Sequence, residues 1–432
     1  MNIMEFKLPR GMRDIEPAEY AIIEEVREAF KQTCKVFNFR IMEPSPIEML
    51  STLEAKGDLA IRDEIYYFKD KGDRELGLRF DLTVGITRNI TQKKGIVLPV
   101  KIGTFGGMFR YDEPQYGRYR WFHQWNAEIY GENELEAEAE IIDFTTFLFN
   151  ILGLKNLIIK IGDRRLAEDF IRKELKENDL ETVKKLLRLL DKTNKKNDNE
   201  IIDEAKQSGI SREIIINLLE FGKIKESPEH LIENDNIKNR RCQDIITLVD
   251  LLKERNIRNI EIDFGLVRGL DYYSGVVFEI INNDDPNIGS IAGGGRYDKL
   301  PENFGRSDLG AVGIAGGIER TISALIKPSD IYNNIIYIAY TNYKFKKEIL
   351  SLTKQLREHG LTVSYDLTNK KLKRQFELAA LRNCKMLILF ADKEYSEGKV
   401  ILRNMTTGKE DLINKNIIKK SILNELNKFK KK

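Results

Sequence analysis

Polar and apolar positions change rhythm several times along the chain. Residues 17–36 (PAEYAIIEEVREAFKQTCKV) repeat at helical spacing, with Pro17 and Glu19 near the start, where a helix accepts them. Residues 37–48 (FNFRIMEPSPIE) turn extended and proline-broken, and 65–69, 97–111 and 120–130 read as strands separated by Gly- and Pro-containing turns. An acidic start at Glu132 leads into an apolar-periodic helix reaching Leu152, and 157–161 (LIIKI) makes a short strand. No proline falls between 115 and 227. From 164 to 255 the chain is Lys/Glu-rich and helical, punctuated by Asn-rich TNKKNDNE and ENDNIKN, which predicts a helical insertion. Strand composition returns at 260–264 and 276–281. After Pro328, IIYIAY, a helix around 344–358, LTVSYD, a helix around 370–382 and KMLILF alternate as β-α-β-α-β, the mark of a separate α/β domain of about 100 residues. No repeat of solenoid period is present. The expected fold is α+β: a largely antiparallel sheet core flanked by helices, a helical insertion and a C-terminal α/β domain.

Bulk properties narrow this picture modestly. A chain of 432 residues exceeds one ordinary core, so two or three domains are expected, and 41% hydrophobic with 32% charged residues marks a globular, water-soluble chain. The formal charge of +3 neither demands nor excludes a nucleic-acid partner. Basic residues gather at the end, where Lys415, Lys419, Lys420, Lys428, Lys430, Lys431 and Lys432 face only Glu425; a solvated frayed helix end and a phosphate-contacting tail both fit. Cys34, Cys242 and Cys384 form no CxxC pair, so no disulfide framework or zinc site is expected. MNIMEFKLPRG has no apolar leader and no run approaches the roughly 20 residues a membrane span needs, so a cytoplasmic, non-membrane protein is expected.

Several chemistries drop out. His123, His230 and His359 have no metal-ligand pairing, neither GxxxxGK[ST] nor GxSxG occurs, and Gly310, Gly313, Gly316 and Gly317 have the wrong spacing for a dinucleotide fingerprint. What stands out is arginine among glycines and aromatics. FRYDEPQYGRYRWFHQWNAEIYG (109–131) reads as a hairpin with a loop of roughly four to eight residues. Its return run alternates Phe122, Gln124, Asn126 and Glu128 onto one face, either a binding floor or an exposed polar surface. LVRGLDYYSGVVFE (266–279) brings Arg268, Asp271, Tyr272 and Tyr273 to the mouth of an apolar strand; a guanidinium there needs a ligand or an acidic neighbour. In AGGGRYD (292–298) the glycines permit close backbone approach or a tight turn. GIAGGIERTI (313–322) passes from strand to a helix starting Ile318-Glu319-Arg320, where Arg320 suits an anion or a surface ion pair.

Together these stretches resemble the signature set of the class II aminoacyl-tRNA synthetases, and in detail the histidyl-tRNA synthetase family. FRYDEPQYGRYRWFHQW is similar to motif 2 and GAVGIAGGIER to motif 3, while LVRGLDYYSGVVFE and AGGGRYD resemble the two histidine-specific signatures. PRGMRDI (9–15) and FNFRIMEPSPIE resemble the N-terminal entry and the dimer-forming motif 1; LREHGLTVSYD and GKVILRNMTTGKE resemble an anticodon-binding domain. The resemblance implies a catalytic core at 1–163 (motifs 1 and 2) and 256–327 (histidine signatures and motif 3), interrupted by the insertion at 164–255 and followed by an anticodon-binding domain at 333–432.

It further implies formation of histidyl-adenylate from L-histidine and ATP, then transfer to the 3′ end of tRNA(His), by a homodimer. ATP enters as substrate accompanied by Mg2+, with no metal site in the protein. Arg110 would hold the α-phosphate, Arg320 the γ-phosphate, Arg118 a further phosphate, and Phe122 would stack on adenine. Arg268 would lie between the histidine carboxylate and the α-phosphate, and is with Arg110 the expected catalytic pair. Glu128 and Tyr273 would serve the two imidazole nitrogens, Asp81, Thr83 and Gln124 the α-ammonium, and Tyr272 and Tyr297 would shape the pocket. Arg79-Phe80-Asp81-Leu82-Thr83 replaces the Arg-Pro-Glu common in bacterial members and resembles the archaeal and eukaryotic form. A related regulatory subunit of ATP phosphoribosyltransferase shares the core but lacks the C-terminal domain and usually loses motif arginines; here 333–432, Arg110, Arg268 and Arg320 are present.

Overall fold

The Pro17–Val36 helix opens with proline at its first turn and buries Ile23, Val26, Phe30 and Cys34 along one stripe. That stripe meets the Glu136–Ile151 helix and the rear of a large sheet, where Phe30 lies 6.0 Å from both Trp125 and Phe144. The structure, a computed structural model, describes residues 7–56, 59–113, 119–173, 175–193, 196–228, 230, 240–268, 272–325 and 335–422. Arg118, the 114–117 turn, Asp271 and the lysines from 428 onward lie outside them.

The strands of the first unit are β1 (Arg40–Ile41), β2 (Ile47–Met49), β3 (Tyr67–Lys69), β4 (Glu75–Leu78), β5 (Val100–Phe109), β6 (Trp121–Tyr130), β7 (Leu157–Asp163), β8 (Lys225–Glu226), β9 (Ile260–Asp263), β10 (Val276–Asn282), β11 (Ser290–Arg296) and β12 (Ala311–Gly317). Nine form one sheet in the order β1-β5-β6-β12-β11-β10-β7-β9-β8, and β2-β4-β3 make a small second sheet. From β5 to β7 every pairing is antiparallel. The β5–β6 pairing runs in register from Val100↔Tyr130 to Phe109↔Trp121, the expected hairpin, though the connection, 110–120, is longer than the four to eight residues anticipated. AGGGR is not a turn: Gly293, Gly294 and Gly295 sit inside β11, paired on both sides.

Between 164 and 254 run the helices Arg164–Lys173, Leu180–Leu190, Asp198–Gln207, Arg212–Gly222 and Arg240–Glu254. Their polar punctuation acts as N-caps. Asp179 accepts from the Thr182 N–H, Asn197 forms a capping box with Glu200, and Ser211 accepts from the Ile214 N–H. Each such cap contributes about 1 kcal/mol. The segment is not purely helical, because β8 adds an edge strand to β9. Its apolar faces continue the sheet's core: Ile171, Leu190, Leu219 and Phe221 cluster with Ile262 and Phe264.

Contacts divide the chain into Met1–Pro328 and Ser329–Lys432. The second unit holds β13 (Ile336–Tyr340), β14 (Val363–Tyr365), β15 (Met386–Phe390), β16 (Lys399–Asn404) and β17 (Glu410–Asn414), ordered β14-β13-β15-β16-β17. Its first three strands are parallel, as the β-α-β pattern requires, and the last two pair antiparallel. No described helix is long and apolar enough to cross a membrane.

Candidate active site

Strand alternation builds the site's floor. Along β6, Trp125, Ala127 and Ile129 point into the core behind the sheet, so Gln124, Asn126 and Glu128 face forward. Glu128 pairs with Gly313 of β12, and a Cβ there would stand 1.5 Å from the Glu128 Oε2. Only glycine leaves room for that carboxylate. Glu128 is 1% exposed and accepts from Thr83 Oγ1 at 2.8 Å, Asn126 Nδ2 at 2.9 Å and Tyr297 Oη at 2.5 Å. Burial pushes its carboxyl up to about 7, against the pull of those three hydrogen bonds. Gln124 gives its Nε2 to Asn126 at 2.7 Å, leaving its carbonyl oxygen as an acceptor.

Asp81 and Thr83 come from the entry to the Thr83–Gln92 helix, where Asp81 also accepts from the Val84 N–H at 3.1 Å. Sequence pattern did not single out this helix, although its N-terminus fixes both side chains. The aromatic wall is Tyr272 stacked on Tyr273 at 4.4 Å, with Tyr297 edge-on to Tyr272 at 5.8 Å. Burial holds the Tyr272 and Tyr297 phenols well above their usual range, so they remain protonated donors.

Arg268 has a left-handed backbone, φ 52, which costs a non-glycine residue about 1 kcal/mol or more. Its guanidinium lies over β11, where a Cβ on Gly293 would fall 1.8 Å from Nη1. It has an acidic neighbour after all: Nη1 reaches Glu279 Oε1 at 3.4 Å, and the guanidinium carbon stands 5.6 Å from the Tyr273 ring. Arg110 donates Nε to the Phe80 carbonyl at 3.0 Å and lies 5.1 Å from the Phe122 ring; Arg320 donates to the Ser290 carbonyl at 2.9 Å.

One cavity of about 470 Å³ collects Asp81, Thr83, Arg110, Phe122, Gln124, Glu128, Arg268, Tyr272, Tyr273, Tyr297 and Arg320. Arg118 falls outside the described residues. Lys56, Glu64, Asp112, Asn126, Glu279 and Glu319 line the same space. A period-2 reading of GVVFE would have set Glu279 opposite Phe278, but the lone Lys56 in EAKGDL carries no pattern. Among the described residues no group of three His, Cys, Asp or Glu could hold a metal ion.

An antiparallel sheet whose glycine-rich strand passes at Gly317 into a helix carrying Arg320, with a second arginine on the β5–β6 hairpin, is the core of a class II aminoacyl-tRNA synthetase. A family model described as histidyl-tRNA synthetase matches residues 11–321, and one described as an anticodon binding domain matches 335–425. The histidine–tRNA ligase of Thermococcus kodakarensis is 33% identical over 440 residues, covering 96% of this chain and 98% of its own; that of Pyrococcus furiosus is 31% identical, with coverage of 93% and 95%. Among solved structures, the histidyl-tRNA synthetase of Nostoc sp. PCC 7120 shares the fold at a TM-score of 0.79 and 21% identity, covering 98% of this chain and 100% of that one. An ATP phosphoribosyltransferase regulatory subunit/histidyl-tRNA synthetase from Bacillus halodurans shares it at 0.74 and 19%, covering 91% and 100%. The chain belongs to the histidyl-tRNA synthetase family.

Proposed function

We propose that this chain activates L-histidine with ATP to histidyl-adenylate and transfers the histidyl group to the 3′ end of tRNA(His). The observation that carries the reading is the single cavity with a fully buried carboxylate, Glu128, together with Arg110, Arg268 and Arg320. Such a cavity suits one ligand with an N–H donor and a second with several phosphates. The carboxylate of histidine is ionised at neutral pH, so it attacks the α-phosphorus without a protein base, and pyrophosphate leaves. The protein's work is positioning and charge stabilisation.

Glu128 accepts the imidazole N–H, with Tyr297 holding the carboxylate in place, and the Tyr273 hydroxyl serves the second ring nitrogen. An amino acid of another shape leaves those buried polar groups unpaired, a selection stronger than a lost methylene provides. Asp81, Thr83 and the Gln124 carbonyl receive the α-ammonium, and Tyr272 closes the pocket. Arg268 bridges the histidine carboxylate and the α-phosphate, leaving Glu279 as phosphate arrives. Arg110 and Arg118 hold phosphate oxygens, Phe122 stacks on adenine and Arg320 takes the γ-phosphate. Magnesium arrives with ATP; Glu279 and Glu319 line the same cavity and offer the oxygen donors it accepts.

The core at 1–163 and 256–327 carries this chemistry. The 164–255 segment leans on the acceptor stem and the 333–432 domain reads single-stranded anticodon bases. The working form is a cytoplasmic homodimer, an assembly supported by the motif 1 likeness. ATP–pyrophosphate exchange measured with each of the twenty amino acids in turn tests the reading. Exchange with histidine alone is expected; silence with all twenty from folded protein would refute it.

A further inference from the structure

Among the described residues that line the cavity there is a cation besides Arg110, Arg268 and Arg320, and adenylate chemistry gives it no task. Lys56 is 5% exposed, and its Nζ is paired with the equally buried Asp81 carboxylate. The same nitrogen stands 4.5 Å from the Tyr272 ring centroid and 5.7 Å from that of Phe80. A primary alkylammonium held on a carboxylate between aromatic faces is the chemical arrangement that a free α-ammonium would make on Asp81. Burial pulls the Lys56 pKa well below its usual value, as do the charges of Arg110 and Arg268, against the pull of Glu128 and Glu64.

We propose that Lys56 is an internal stand-in for the substrate's α-ammonium, occupying its seat on Asp81 in the empty site and withdrawing when an amino acid enters. This rests on the reading of Asp81 as the ammonium receptor. Two cations cannot share the seat: like charges a few ångströms apart in a buried site, beside Arg110 and Arg268, repel strongly. Leaving the seat empty is equally unfavourable, because Asp81 would be an uncompensated buried carboxylate. Lys56 keeps the empty pocket neutralised, and its eviction is subtracted from the affinity for any ligand that brings its own ammonium. A ligand without one leaves Lys56 where it is. Lys56 thus sets how strongly the pocket distinguishes an amino acid from its desamino analogue.

The test compares two probes by calorimetry on the full chain: histidinol, which keeps the ammonium, and imidazolepropionate, which lacks it. In Lys56→Met, histidinol should bind tighter and imidazolepropionate weaker, raising the ratio of their dissociation constants by about tenfold or more, equivalent to about 1.4 kcal/mol. A damaged fold lowers the binding-competent fraction for both probes equally and leaves the ratio unmoved; Lys56→Gln serves if the methionine variant does not fold. An unchanged ratio, or one that falls because histidinol binding weakens more, overturns the proposal. Wild-type chain that binds neither histidine nor histidinol overturns the underlying reading of the site, a result visible before any variant is made.

Discussion

Glu128 carries a measurable stability penalty that its substitution should reveal. Its carboxyl rises from 4.5 to about 7 on folding, driven by burial. At about 1.4 kcal/mol per pH unit, holding that group ionised in the folded chain costs about 3 kcal/mol. The sign follows from which state binds the proton. Below 4.5 both folded and unfolded chains are protonated and nothing is lost. Between 4.5 and about 7 the unfolded chain releases its proton while the folded chain keeps it, so stability falls with rising pH. Above about 7 both are ionised and the loss is complete. Glu128→Gln has no proton to release, so its stability relative to wild type should climb by about 2 to 3 kcal/mol between pH 5 and pH 8. Any fixed effect of the new amide on Thr83, Asn126 and Tyr297 cancels in that difference. Urea unfolding followed by tryptophan fluorescence is the assay, since Trp121 and Trp125, the chain's 2 tryptophans, both lie on the strand that carries Glu128. A stability difference that does not change between pH 5 and pH 8 would refute the reasoning.

Other expectations are as direct. Arg268→Ala should cut adenylate formation by orders of magnitude in an exchange assay with the fold intact, whereas near wild-type exchange would remove Arg268 from the mechanism. Arg268→Gly should be equally inactive yet melt higher than Arg268→Ala, since glycine relieves about 1 kcal/mol of left-handed backbone strain; equal melting points would argue against that strain. Gly293→Ala should depress kcat much as loss of Arg268 does, because its methyl takes the position of the guanidinium, and unaffected turnover would contradict the close approach. Tyr297→Phe removes a hydrogen bond that holds Glu128 down, so the acid limb of kcat/KM for histidine should move to higher pH; a limb that stays put would mean that Tyr297 does not tune the carboxylate.

The frame was legible wherever burial is periodic. The Pro17–Val36 helix and the β5–β6 hairpin follow their apolar rhythm closely, the helix because it buries one stripe and the hairpin because its alternate residues enter two separate clusters, with Trp125, Ala127 and Ile129 in one and Ile102, Met108 and Tyr130 in the other. The glycine strand β11 was ambiguous for a physical reason: glycine records no side-chain alternation, so a close approach and a turn look the same until the neighbouring strands are in place. Glu128 showed itself through alternation, and Arg268 through a charge that demanded a partner. What stayed hidden was the identity of partners from distant segments. Glu279 as the acidic neighbour of Arg268, and Tyr297 as the third donor to Glu128, depend on register across β10, β11 and β12, which no local pattern encodes. Lys56 was silent because an isolated lysine beside a glycine carries the same signal whether it is solvated or buried.

The glycines that line the cavity also set the direction in which this pocket can be redesigned. A floor made by Gly293 and Gly313 is already at the smallest side chain the genetic code allows, so no mutation there can deepen it. Enlarging the cavity for a bulkier amino acid has to come from trimming the Tyr272, Tyr273 and Tyr297 wall, and cutting back Tyr297 also takes a hydrogen bond from Glu128. In an engineering campaign the floor is a one-way ratchet: it can be filled but not excavated. A directed-evolution library aimed at larger substrates is therefore best concentrated on the wall.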